Sequence, residues 1–329
     1  MTLKVAVLGA GDMGTRHALH WRSVGAQVVA VADPDAHRAD ALAAAVGAAA
    51  VSDPFVAAAD SGADVVSVCT PTVLHVPLIR AAARAGAHVL TEKPLALAED
   101  DLAGLEADVV AAGVTVRVGF MRRFDPVWQA YVREMHDLGG PRLVQASVSA
   151  GVRPKRAMHD ARLNGGPIVD MACHLTDLWT RAFGRMPEVV TARAETYLHG
   201  RPELAGVTEV APDTLATTFD FGEAGTAQLQ LSWGLPEGVT PCERHDAVGP
   251  NGRLSVTEAG LTGLSGLTPA DAALDAYERQ VHAFHAELTT GRPQGLATLA
   301  DGRRSVRIAD ALLASARKGA AVTVKEEEP

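Results

Sequence analysis

The chain of 329 residues is 47% apolar and 21% charged, and its 39 acidic against 30 basic residues leave a net charge of −9 with no basic block able to follow a nucleic-acid backbone. That excludes nucleic acid as a partner; the absence of any run of apolar residues long enough to span a bilayer, or of a cationic leader before the first strand, excludes a membrane and points to a cytoplasmic protein. Three widely spaced cysteines, Cys69, Cys173 and Cys242, suggest neither a disulfide framework nor a metal site.

The length suits about two domains. The first stretch, Leu3 to Asp33, reads as strand (Lys4 to Leu8), glycine turn (Gly9-Ala10-Gly11-Asp12-Met13-Gly14), helix and second strand (Gln27 to Ala32). In such a turn Gly9 allows a sharp exit from the strand, Gly11 keeps side-chain atoms away from a pyrophosphate, and Gly14 lets the helix pack closely on the sheet. The helix start then presents N–H groups and a positive dipole end to phosphates. Asp33 stands at the end of the second strand, where a carboxylate accepts the hydroxyls of an adenosine ribose and repels a 2′-phosphate, so NAD is expected, with NADP as the alternative because Arg38 is nearby.

Strands and helices then alternate: helices at Ala36 to Val46, Val73 to Ala85 and Asp100 to Ala112, and strands at Asp64 to Thr70, Ala87 to Thr91 and Val114 to Val118. Continuous apolar strands separated by helices predict a doubly wound parallel sheet over residues 1–120, of the Rossmann α/β class. After Gly119 the rhythm changes to a helix at Pro126 to Asp137 followed by period-two segments at Leu143 to Ala150, Val189 to Leu198, Thr214 to Phe221 and Thr226 to Trp233. Residues 121–329 are therefore expected to form an α+β domain on a largely antiparallel sheet, with helices at Ala270 to Thr289 and Leu299 to Arg317, a strand at Ala321 to Val324 and a frayed acidic end at Glu326 to Glu328.

Glu92-Lys93-Pro94 leaves the sheet on the edge where a dinucleotide lies, and Pro94 holds Lys93 in an extended turn. An ammonium there stabilises the alkoxide that develops as a hydride departs. Gly165 to Phe183 reads as one helix, in which Asp170 and His174 share a face with Asp177 one turn on; an aspartate beside an imidazole suits a general base for an alcohol. Softer candidates are Thr70-Pro71 with His75 beside the cofactor groove, Arg122 or Arg123 after the last parallel strand, His159 in a polar loop, and Tyr277 on a late helix.

Taken in order, the glycine turn, Thr70-Pro71 with His75, Glu92-Lys93-Pro94, Gly119 to Pro126, Gly165 to Asp177 and the Tyr277 to Leu288 helix make the chain resemble the glucose-fructose oxidoreductase, inositol dehydrogenase and rhizopine catabolism protein family (Gfo/Idh/MocA) over essentially all its length. The resemblance implies NAD(P)-dependent oxidation of a secondary alcohol on a sugar or cyclitol, with Lys93, Asp170 and His174 catalytic and an open-faced sheet used for homodimers or homotetramers. It also implies cofactor contacts from Gly9, Gly11, Asp12, Met13, Gly14, Asp33, Thr70, Pro71, His75, Glu92 and Lys93. Arg123, His159 and Tyr277 are the candidates for substrate contact, Tyr277 because the inositol dehydrogenase branch, which the Gly119 to Pro126 segment resembles, places an aromatic there. One departure is visible, since Pro167 stands where the family often has a third glycine, a residue compatible with a first helical turn. Inositol 2-dehydrogenase-like activity is the first expectation; an aldose dehydrogenase or a non-catalytic NAD-binding regulator are the alternatives.

Overall fold

Apolar runs without a polar interruption can be buried on both faces only in a sheet that helices cover on both sides, and the first half of the chain forms one. The structure is a computed structural model, described here over residues 2–263 and 275–324. Within these it forms two compact units, residues 2–124 with 275–303 and residues 125–263 with 304–324.

In the first unit, strands β1 (Lys4–Leu8), β2 (Gln27–Ala32), β3 (Ala49–Val51), β4 (Val65–Val68), β5 (His88–Glu92) and β6 (Val116–Gly119) pair in the parallel order β3-β2-β1-β4-β5-β6. The order reverses between β1 and β4, which is where sheets of this kind bind ligands beyond their carboxyl ends. Helices α1 (Asp12–Ser23), α2 (Ala36–Val46), α3 (Pro54–Asp60), α4 (His75–Arg84) and α5 (Leu105–Ala112) connect the strands. Two expected helices start later than their apolar pattern suggests. The first turn before α4, Thr72–Leu74, is 3₁₀. Before α5, a 3₁₀ turn at Glu99–Leu102 ends and Gly104 takes a left-handed φ of 72° that starts a new helix at Leu105.

The second unit begins with α6 (Pro126–Asp137), capped by the Asp125 carboxylate, which accepts from the N–H groups of Val127 and Trp128. It continues through β7 (Arg142–Gly151), α7 (Gly166–Asp170), α8 (Ala172–Phe183), β8 (Val189–Glu195), β9 (Thr214–Asp220), β10 (Gly225–Leu235), β11 (Cys242–Gly249), β12 (Gly252–Thr257) and β13 (Gly260–Thr262). The strands pair antiparallel except β7 with β10. One face of this sheet buries Val144, Val148, Leu215, Phe219, Leu229 and Leu231 with Tyr131 and Met135 of α6 and Leu175, Leu178 and Trp179 of α8. Its other face carries Gln145, Ser147, Arg193, Thr218, Gln228, Gln230 and Arg244.

The chain then re-enters the first unit as α9 (Ala276–Thr290), whose Val281 and Phe284 are fully buried. Phe284 meets Trp21 of α1 edge-on at 6.2 Å, and the Val118 N–H donates to Ala297 O beside β6. The pattern break near residue 120 assigned this helix to the second domain; its apolar stripe belongs to the core around α1. The expected helix start at Ala270 and the Glu326 to Glu328 end lie outside the described residues. Helix α10 (Leu299–Lys318) carries the boundary between Arg303 and Arg304, and its Ile308, Ala311 and Leu312 join the second core, where β14 (Val322–Thr323) pairs with β8.

Phe219, 1% exposed, packs edge-on against Trp179 at 5.4 Å. Phe219→Ala should lower stability by about 3–5 kcal/mol, the usual loss for a buried aromatic, read as an earlier urea midpoint of the transition that reports Trp179.

Candidate functional site

The glycine turn is built by close approach. Gly9 takes φ +97°, and a Cβ on it would lie 2.5 Å from the Cys69 carbonyl oxygen, while one on Gly14 would lie 1.7 Å from Gly9 O. Only hydrogen fits either place. A Cβ on Gly11 would meet nothing within 4 Å, so the space over that residue is open. No side chain caps the start of α1 at Asp12 and Met13, so its first-turn N–H groups and dipole suit a pyrophosphate.

Asp33 is 7% exposed at the end of β2. Its Oδ2 accepts from Ala10 N–H at 2.8 Å and its Oδ1 from Asp35 N–H at 2.9 Å, so the carboxylate is set against the glycine turn with lone pairs remaining for a ribose diol. Arg38 is held 3.2 Å from Asp35, which also caps α2.

Beyond β4 and β5 lie Thr70-Pro71 and Glu92-Lys93-Pro94. His75, 1% exposed, sits between them, with Nε2 2.9 Å from Thr70 O and Nδ1 2.8 Å from Pro94 O. Burial pushes its pKa down, against the pull of the two carbonyls. The neutral ring carries one N–H and so donates to one carbonyl at a time.

Glu92 is buried and points into the unit, its Oε1 3.1 Å from His17 Nε2, and Lys93 after it is half-buried. The sequence reading overlooked His17, which is fully buried with Nδ1 3.2 Å from Ser67 Oγ; its signal was the pairing with Trp21 one turn along α1, whose indole N–H donates to the same Oγ at 2.8 Å. Burial acts to lower the His17 pKa, and Cys69 and Glu92 together outweigh it and raise it. Burial pushes the Cys69 thiol up, and His17 beside it acts in the opposite direction.

Tyr277, on α9, belongs to the same neighbourhood. Burial and then Glu92 raise its phenol, while Lys93 and Arg16 oppose them, and Arg16 lies over its ring at 5.4 Å while pairing with Asp275 at 2.9 Å. The first unit thus gathers the glycine turn, Asp33, His75, Glu92, Lys93 and Tyr277. Arg123 is directed at Asp301, Nη1 to Oδ2 3.2 Å; burial acts to raise the Asp301 pKa, but Arg123 and Thr298 hold it below the usual carboxylate range. Arg122 is buried.

In the second unit the expected single helix is broken. Met171 ends α7 and starts α8, so Asp170 closes one helix and His174 lies in the first turn of the next. The His174 N–H donates to Met171 O at 3.2 Å, and Cys173 Sγ donates to Asp170 O at 2.9 Å. Asp170 and His174 therefore flank a joint and do not share one continuous helical face, whereas His174 and Asp177 do occupy the same helix; all three are buried, at 8%, 7% and 8% exposure. His159 is likewise buried, away from the solvated loop its sequence neighbours suggest. Its Nε2 accepts from Arg153 N–H at 2.9 Å, so its proton sits on Nδ1, and its ring meets Trp233 edge-on at 6.2 Å.

A parallel sheet in this order, an uncapped helix after a glycine turn and an acid ending β2 define a dinucleotide-binding domain of the dehydrogenase class. Residues 3–120 match the oxidoreductase family with an NAD-binding Rossmann fold, and residues 131–255 match the GFO/IDH/MocA C-terminal domain. The chain is 33% identical over 339 aligned positions to inositol 2-dehydrogenase 2 of Saccharopolyspora erythraea, covering 99% of this chain and 96% of that protein. To inositol 2-dehydrogenase 4 of the same organism it is 42% identical over 151 residues, about half the length of each, 44% and 45%. The fold is also that of the scyllo-inositol dehydrogenase from Lactobacillus casei, solved with bound NAD(H) and scyllo-inositol: TM-score 0.80, 20% identity, 98% of this chain and 99% of that one. The chain belongs to the GFO/IDH/MocA oxidoreductase family, and its first unit is an NAD-binding domain. Among the described residues no helix is long and apolar enough to cross a membrane.

Because nothing lies within 4 Å of a Cβ at Gly11, Gly11→Val should fold with an unchanged thermal midpoint. Its side chain should fill the space over the helix start and weaken NADH binding, measured by calorimetry, by about tenfold or more, about 1.4 kcal/mol.

Proposed function

We propose that this protein is an NAD-dependent dehydrogenase that oxidises a secondary alcohol of a cyclitol, an inositol first and an aldopyranose second, acting in the cytoplasm as a homodimer or homotetramer. The observation that carries this reading is the similarity to an inositol 2-dehydrogenase over 99% of the chain. Lys93 at the carboxyl edge of β5, together with Asp170 and His174, supports a catalytic protein over an NAD-binding regulator, which has no use for a lysine, a histidine and an aspartate of this kind.

NAD, when bound at the glycine turn and Asp33, would supply the acceptor for the hydride of the carbinol carbon. In this reading the His174 imidazole takes the hydroxyl proton, Asp170 orients the ring and favours its protonated form, and the Lys93 ammonium donates to the same oxygen as negative charge develops on it. Asp33 accepts the ribose hydroxyls and repels a 2′-phosphate, and the Asp35 partner of Arg38 draws away the cation best placed to welcome that phosphate. The Tyr277 phenol, beside Glu92 and Lys93, is suited to stack on a ring and donate to a hydroxyl. The His159 Nδ1–H is suited to the same kind of contact, and Arg123 would contribute only those guanidinium donors not directed at Asp301.

A screen of NAD reduction across inositol isomers, aldoses and their acids should show highest turnover with an inositol; turnover confined to a uronic acid or a nucleotide sugar would overturn the substrate class. With the best substrate, His174→Ala should lower kcat by about 10²- to 10⁴-fold while NADH still binds. Calorimetry should show tighter binding of NAD than of NADP, and Asp33→Ala should narrow that difference.

A further inference from the structure

Lys93 is held on both sides in sequence by buried histidines. Before it, Glu92 meets His17 Nε2 at 3.1 Å; after it, Pro94 O lies 2.8 Å from His75 Nδ1. The rings are 0% and 1% exposed and come from different helices, His17 from α1 and His75 from α4. The His17 ring is set at its far edge as well, by Ser67 Oγ at 3.2 Å, while the single N–H of His75 is shared between Pro94 O and Thr70 O, the latter 2.9 Å from Nε2. Gly119 leaves the space that the Glu92 carboxylate occupies: a Cβ there would lie 3.1 Å from Glu92 Oε1 and 3.3 Å from Gln280 Nε2.

Stability alone does not call for this arrangement, since a buried ion pair is often no more stabilising than apolar side chains of the same volume. What hydrogen bonds at fixed positions add is direction. They tie down the Glu92 carboxylate before Lys93 and the Pro94 carbonyl after it, and so limit the point from which the lysine side chain departs. We propose that His17 and His75 are positioning residues for Lys93, holding its two sequence neighbours so that the ammonium is presented at one place. The proposal rests on the catalytic role given to Lys93 above, and a misplacement of about 1 Å at a reacting group costs about 10²-fold in rate.

The test uses the full chain and a readout that needs no substrate. Acylation of Lys93 by acetic anhydride is followed by peptide mass spectrometry, with the exposed Lys318 as internal reference. In His17→Leu and in His75→Leu, the Lys93 labelling rate relative to Lys318 should rise at least about threefold, because the half-buried lysine is released. In His17→Gln, whose amide still donates to Glu92, the rate should return most of the way to wild type. Ser67→Ala, which keeps the apolar packing and removes one edge of the His17 ring, covers the case in which the leucine variants do not fold, and should shift the rate in the same direction by a smaller factor. An unchanged Lys93 rate in folded variants, or an equal change in His17→Gln and His17→Leu, overturns the proposal.

With the best substrate of the screen, kcat of His17→Leu and His75→Leu should fall about 10- to 100-fold, with KM changed less than about threefold. A loss appearing only as weaker NADH binding or a lower thermal midpoint also overturns it. Wild-type protein that turns over no polyol while the labelling shifts appear would count against the dehydrogenase reading and leave the placement of Lys93 by the histidines standing.

Discussion

A carboxylate buried at the end of β5 is the constraint around which the first unit is arranged. Glu92 sits among apolar strands, where an uncompensated charge costs several kcal/mol, and the group that answers it is an imidazole from a helix two strands away in the sheet order. That requirement explains why α1 carries His17 and Trp21 on its inner face, why Ser67 interrupts the valines of β4, and why the position facing Glu92 on β6 is Gly119. His17, Ser67 and Gly119 are each a polar or small residue where packing alone would favour a larger apolar one. The glycine turn lies at the start of the same helix, so the first turn of α1 and the residue that answers Glu92 are one continuous piece.

The sequence was most legible where one physical signal acted alone. Strands β1 and β2 and helices α2 and α6 have the bounds their apolar patterns predict, because the buried positions in them recur with the period of the element. The parallel class of the first sheet and the antiparallel character of the second could be read from apolar runs and period-two alternation. Where signals competed, the reading failed. Strand β11 holds Glu243, Arg244, His245 and Asp246 in succession, which looks like a solvated segment, yet His245 and Ala247 face the core beside Trp128 and Tyr131. The helix expected from Gly165 to Phe183 has unbroken apolar periodicity, and nothing in the residue types announces the joint at Met171.

For the site the division falls differently. Residues whose role depends on backbone geometry, namely Gly9, Gly11, Gly14 and Asp33, were legible because spacing along a strand, turn and helix fixes where they end up. His17 was not, because its meaning lies in partners 50 and 75 residues further along the chain. Arg123 could not be resolved from sequence either, since Asp301, the acid that engages it, is 178 residues away.

The return of α9 to the first unit bears on how the protein is made. Trp21 is without Phe284, and the edge of β6 without Ala297, until residues 284 and 297 have left the ribosome. The second unit waits as well, because Ile308, Ala311 and Leu312 complete its core later still. Domains commonly fold in turn during synthesis, N-terminal first. Here the first unit closes only after α9 has been made, and the second only after α10.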